Sequence, residues 1–138
     1  MNMKELDILA VKENLPEVLA FIDSQLEELN CGIKIITQVD VAVEEIFVNI
    51  SSYAYNPETG PATIRAGITE EPLSVIISFI DNGKQYDPLA KPDPNVKIPL
   101  KERKKGGLGI FMVKKTMDDV SYEYKDGQNI LTIIKTIS

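Results

Sequence analysis

Apolar and polar positions fall into stretches with two different periods. "MKELDILAVKENL" alternates loosely and predicts a first strand. Asn14 is placed to cap the following helix, with Pro16 in its first turn and Glu17 at the third position. In "LPEVLAFIDSQLEEL" the apolar positions 15, 18, 19, 22, 26 and 29 form a helical stripe, and Asn30-Cys31-Gly32 is a stop. A longer helix is predicted from Ile33 to Tyr55, ended by Asn56-Pro57. "ATIRAGITE" and "LSVIISFID" read as two strands joined by a turn at Glu70-Glu71-Pro72. Residues 88–106 carry four prolines and six basic residues without periodicity, which predicts a long loop. "GLGIFMVKKTMDDV" reads as a short helix, and "VSYEYKDGQNILTIIKTI" as a hairpin turning at Asp126-Gly127.

Strand pairs joined by short turns imply a mixed, mostly antiparallel sheet, with the helices packed on one face. The expected fold class is therefore α+β, a two-layer sandwich, with one domain over 1–138. A composition of 43% hydrophobic and 26% charged residues agrees with a globular chain. The net charge of −6 argues against nucleic acid or an anionic membrane as the main partner. A single cysteine and no histidine leave no disulfide framework, thiol metal cluster or His-based acid–base chemistry. The N-terminus lacks signal-peptide character, and no apolar run approaches the ~18 residues of a membrane span, so a cytoplasmic, soluble protein is expected.

Three stretches carry candidate chemistry. In "VAVEEIFVNISSYAY", residues Val39, Val43, Ile46 and Ile50 form the stripe to be buried, and Glu44 points away. Glu45 and Asn49 lie one turn apart on its flank. They could edge a solvent-exposed face, or aim a carboxylate and an amide oxygen into a cleft. In "DNGKQYDP", Asp81 ends an apolar strand and Gly83 follows two residues later. That spacing suits a plain turn; it also suits a pocket floor, where a buried carboxylate needs a donor such as a ligand amine. Gly83 would let a flat ring approach the backbone. In "KKGGLGIFMVKK", Gly106, Gly107 and Gly109 stand at a helix start beside Lys101, Arg103, Lys104 and Lys105. A flexible basic connector is one interpretation, and a phosphate site at a helix N-terminus is the other.

Taken together and in this order, "EEIFVNISSYAY", "DNGKQYDP" and "GGLGIFMVKKTMDDVSYEY" resemble the three boxes of the histidine-kinase-like ATPases, whose fold is named after Bergerat. The resemblance covers nearly the whole chain and is nearest to the small bacterial anti-sigma factors that are also serine protein kinases. It implies ATP and Mg²⁺ as cofactors, Glu45 as general base and Asn49 as the magnesium ligand. Asp81 would bond the adenine amine and Gly83 would give the ring room. Gly106, Gly107, Leu108 and Gly109 would contribute the phosphate-binding stretch. Residues 88–106 would form the ATP lid, with Arg103 and Lys105 near the γ-phosphate. Asp87 is expected to cap a turn instead of touching ligand. A sigma factor and an anti-anti-sigma protein would be partners, and the relatives suggest a homodimer.

Two positions depart from the family pattern: Val48 stands where a phosphate-contacting threonine is common, and Tyr53-Ala54-Tyr55 replaces His-Ala-Tyr. Val48 favours a second hypothesis, a non-catalytic module in which ATP only shapes a protein-binding surface. A domain binding no nucleotide is the third. Met112 and Met117 are expected in the core, Cys31 at a helix end without redox work, and Tyr53 and Tyr55 packed at the end of the long helix or, for one of them, near the nucleotide.

Overall fold

A computed structural model describes residues 3–90 and 107–137. Strand β1 (Met3–Leu9) leads through a 3₁₀ turn (Lys12–Asn14) into helix α1 (Leu15–Glu28), which is followed by α2 (Ile33–Asn49). A π-helical turn (Ile50–Ala54) extends α2. Strands β2 (Pro61–Thr69) and β3 (Ser74–Asp81), a 3₁₀ turn (Pro88–Ala90), helix α3 (Gly107–Thr116), and strands β4 (Asp119–Lys125) and β5 (Gln128–Thr136) complete the described elements. The five strands lie in the order β1-β2-β3-β5-β4. All four pairings are antiparallel, so the parallel component allowed for by a mixed sheet is not present among the described strands.

Register puts one apolar set on one face of the sheet. Ile64 pairs with Phe79, which pairs with Leu131 and so on to Tyr122; Ala66, Ile77, Ile133 and Val120 form the next row. These side chains join Val18, Ile22 and Leu26 of α1, Val39, Val43 and Phe47 of α2, and Val113 and Met117 of α3 in one core. The stripe expected on α2 is buried at Val39, Val43 and Ile46, while Ile50 is half-buried. Asp126 (φ 53°) and Gly127 (φ 77°) form the two-residue turn of the last hairpin, both in the left-handed region such a turn requires.

Three local expectations change. Asn14 makes no capping bond; its side-chain amide donates to the Leu9 carbonyl at 2.8 Å, holding the end of β1 to the start of α1. The long helix does not run unbroken to Tyr55: α-helix stops at Asn49 and a wider π turn follows. There the Ser51 hydroxyl donates to the Phe47 carbonyl at 2.9 Å, a back-bond that competes with the helical ladder. Met117 is in the core as expected, but Met112 is 44% exposed, because the face of α3 that packs on α2 passes through Val113 and Met117.

Asp23 of α1 and Asp40 of α2 face each other between the two helices, and each keeps an Oδ1 shut from water that no group satisfies among the described residues unless the two carboxyls share a proton. Burial first, then a hydrogen bond and charge repulsion from Asp23, push the Asp40 carboxyl up to about 7. Between the ordinary value of 3.8 and about 7, the unfolded chain releases a proton that the folded chain keeps. Stability therefore falls as pH rises through that window and levels off above it. With screening at this half-exposed site, the difference is on the order of 1 kcal/mol, a melting shift of about 4 °C. Asp40→Asn, which carries a permanent donor, is expected to flatten this part of the melting-temperature profile; an unchanged profile would show that the pair holds no shared proton.

Candidate functional site

The residues singled out on α2 gather where it meets α3. Glu45 and Asn49 are half-buried on successive turns, whereas Glu44 is exposed. Glu45 lies directly against Gly109 of α3: a Cβ at Gly109 would fall on the Glu45 carboxylate. Burial, then the charge of neighbouring Glu44, raise the Glu45 carboxyl above the usual glutamate range. The glycine at 109 thus leaves room for the Glu45 carboxylate in this position, and a side chain there would have to push that carboxylate aside.

Asp81, the last residue of β3, is 6% exposed. Its burial is tolerated because Oδ1 accepts the Gly83 N–H and the Asn129 side-chain amide, each at 2.9 Å. Oδ2 has no hydrogen-bond partner among the described residues. The following turn is tied to the end of α2. A Cβ at Gly83 would strike the Ala54 carbonyl, and the Lys84 N–H donates to that same oxygen at 3.0 Å. Room for a flat ring was the sequence-based reason for a glycine at 83; contact with the backbone of Ala54 is a reason that only the tertiary packing supplies. Tyr55 packs as expected, its hydroxyl donating to the Pro61 carbonyl at 2.6 Å and accepting the Asn82 N–H at 2.8 Å, whereas Tyr53 is 51% exposed and does not pack there. Asp87 caps its turn through the Leu89 N–H at 2.8 Å. Cys31 sits between α1 and α2, where burial pushes its thiol up, away from thiolate reactivity.

These elements enclose a cavity of about 400 Å³, within the range of small-molecule sites. Asn49 and Asp81 line it, together with Tyr53 and with Ile110, the residue after Gly109. Its walls are mostly apolar, with Phe79 and Leu131 from the sheet. Among the described residues no cluster of three acidic, histidine or cysteine side chains could hold a metal by itself. A magnesium ion whose coordination shell is completed by phosphate oxygens and water needs no such cluster, and the Asn49 amide has no hydrogen-bond partner among the described residues. The donor set therefore fits a metal–nucleotide pair better than a bare metal.

Of the other sequence-based candidates, Gly107 and Leu108 belong to the first turn of α3. Arg103, Lys105, Gly106 and the expected lid from 91 to 106 lie outside the described residues. Pro88, where the expected lid begins, lines the cavity. Two residues escaped the sequence reading: Asn129, 7% exposed on β5, and Tyr122 on β4, whose hydroxyl donates to the Asn129 side-chain oxygen. A signal for Asn129 exists, since Asn129, Leu131 and Ile133 share one face of an alternating strand. An amide in phase with core residues is a buried polar group in search of partners.

A profile of the histidine kinase-like ATPase domain matches residues 8–135. The chain belongs to the histidine kinase-like ATPase family. Similar proteins include the serine-protein kinase RsbW of Bacillus cereus, 28% identical over 100 residues, 70% of this chain and 61% of that protein. The serine/threonine-protein kinase BtrW of Bordetella bronchiseptica is 31% identical over 93 residues, 67% of this chain and 65% of that protein. The chain thus spans less than two thirds of these relatives. The crystal structure of the RsbU and RsbW domains of Rv1364c from Mycobacterium tuberculosis covers 99% of this chain and 33% of that one, with a TM-score of 0.68. At 16% identity this likeness speaks for the fold, which is the α+β arrangement of the family. Among the described residues no helix is long and apolar enough to cross a membrane.

Proposed function

We propose that this histidine kinase-like ATPase domain binds ATP with Mg²⁺ and transfers the γ-phosphate to a serine of an anti-anti-sigma partner, holding a sigma factor inactive in its other state. The observation that carries the proposal is the convergence of three distant segments: Asn49 of α2, Asp81 of β3 and Ile110 of α3 line one cavity, with Glu45 against Gly109 beside it.

In this proposal Asp81 accepts a hydrogen bond from the adenine amine, and the apolar walls take the ring. The Asn49 side-chain oxygen would hold the magnesium, which neutralises phosphate charge when bound. The start of α3, from Gly107 through Leu108 to Gly109, offers backbone N–H groups to the phosphates, with Gly106, Arg103 and Lys105 of the lid added to that end. Glu45 accepts the proton of the serine hydroxyl as its oxygen bonds to phosphorus and the γ-phosphate leaves ADP. Its raised pKa suits that task, because a base is most useful when its pKa approaches the working pH.

Val48 supports a second interpretation, a nucleotide-binding module without transfer, since no hydroxyl stands beside Asn49 on that side. A thermal-shift titration with ATP and Mg²⁺ tests the shared part: saturation at a hundred times the dissociation constant is expected to add about 2.7 kcal/mol of stability. A flat titration removes both interpretations. Mass spectrometry of the cognate partner after incubation with ATP then separates them, because phosphoserine above a no-enzyme control arises only from a kinase.

A further inference from the structure

Asp81 is held by a partner from the far end of the chain. Asn129 lies directly opposite Asp81 in the β3–β5 pairing, and its Nδ2 donates to Asp81 Oδ1 at 2.9 Å and to the Lys84 carbonyl at 2.8 Å. Its Oδ1 accepts the Tyr122 hydroxyl and, at 3.1 Å, the Tyr86 N–H. The Tyr86 N–H can only donate and the Lys84 carbonyl can only accept, so the amide cannot turn over without losing both. The amide orientation is therefore dictated, and a donor always faces Asp81. With Asn129 and Gly83 both on Oδ1, the carboxylate is fixed in rotation, and Oδ2 is left as its unused acceptor among the described residues. The same amide spans the turn from Gly83 to Tyr86, whose residues 84 and 86 line the cavity next to the expected lid.

We infer that Asn129 is a positioning residue for base recognition: it locks the Asp81 carboxylate, through Tyr122 behind it, in the one orientation that reads a 6-amino group. The inference rests on the proposed role of Asp81. Asn129 and Tyr122 also line the cavity, but the polar atoms of the Asn129 amide are turned to groups of the protein itself. Its amide is engaged by Asp81, Tyr122, Tyr86 and the Lys84 carbonyl, with the Gly83 carbonyl at 3.5 Å, so its part in reading the amine passes through Asp81.

The test compares ATP with purine riboside triphosphate, which lacks only the 6-amine. In the unmodified protein ATP is expected to bind the tighter of the two. Asn129→Ala is expected to lower ATP affinity roughly tenfold, the worth of one hydrogen bond to a charged group, and to leave the analogue's affinity unchanged. Tyr122→Phe, which keeps Asn129 but releases its amide, should lose part of the same preference and serves if Asn129→Ala does not fold. A merely structural role would weaken both nucleotides alike, and that result overturns the inference. Asp81→Asn separates the two levels: if it abolishes the amine preference while Asn129→Ala and Tyr122→Phe retain it, Asp81 reads the base without help from Asn129. If the unmodified protein shows no preference for the amine, the role of Asp81 fails and this inference fails with it.

Discussion

Glu45→Ala is expected to lower serine phosphorylation by about 10²- to 10⁴-fold, the usual worth of a general base, while ATP–Mg²⁺ affinity stays within a few-fold of the unmodified protein. The separation follows from geometry. Glu45 does not line the cavity, whereas Asn49, one turn further along α2, does. The carboxyl is raised above the ordinary glutamate value of 4.5, so phosphorylation should rise with pH across a window displaced upward from that value. Glu45→Gln should remove that rising limb along with the rate. Gly109→Ala is the companion substitution: its methyl group would displace the Glu45 carboxylate, so phosphorylation should fall with the base still present in the sequence. Transfer measured with isotopically labelled ATP, beside equilibrium nucleotide binding, checks each variant. Phosphorylation that survives Glu45→Ala would remove Glu45 from the chemistry.

The second large effect concerns nucleotide choice at Asp81. Two donors, the Gly83 N–H and the Asn129 amide, converge on Oδ1. In Asp81→Asn the new side chain has only one acceptor, and these donors will claim it. The NH₂ group then takes the place of Oδ2 and meets the adenine amine donor to donor. An unsatisfied buried pair of this kind costs about 3 kcal/mol, roughly a hundredfold in ATP affinity. A 6-carbonyl, as in GTP, is the acceptor such a group prefers, so the ratio of ATP to GTP affinity should invert and not merely shrink. Calorimetric titration of both nucleotides reads the ratio directly. Equal and unchanged affinities would take Asp81 out of the site.

The hydrogen bonds also explain which parts of the site were legible beforehand. Asp81 stood out because a carboxylate at the end of an apolar strand is locally anomalous, whatever the fold does with it. Glu45 and Asn49 stood out through helical spacing, since residues four apart share a face wherever the helix sits. Asn129 did not stand out. Its importance comes from pairing opposite Asp81, a contact between positions 48 residues apart. Gly83 was noticed for an unrelated reason: the Ala54 carbonyl against it belongs to a π turn that helical periodicity does not foresee.

The amino-acid sequence by itself determined the five strands, the three helices up to the π turn that ends α2, the buried stripe of α2 from Val39 to Ile46 and the last hairpin, because these depend on periodicity and turn chemistry within a few residues. It also carried the three boxes by which the family is known. Tertiary structure alone decided that Glu45 meets Gly109, that the carboxylate of Asp81 is clamped by Asn129, and that Asp23 and Asp40 are forced to face each other. Each of these needs two segments brought together by sheet register or helix packing. Hydrophobic burial across the whole domain sets those distances, and no local pattern encodes them.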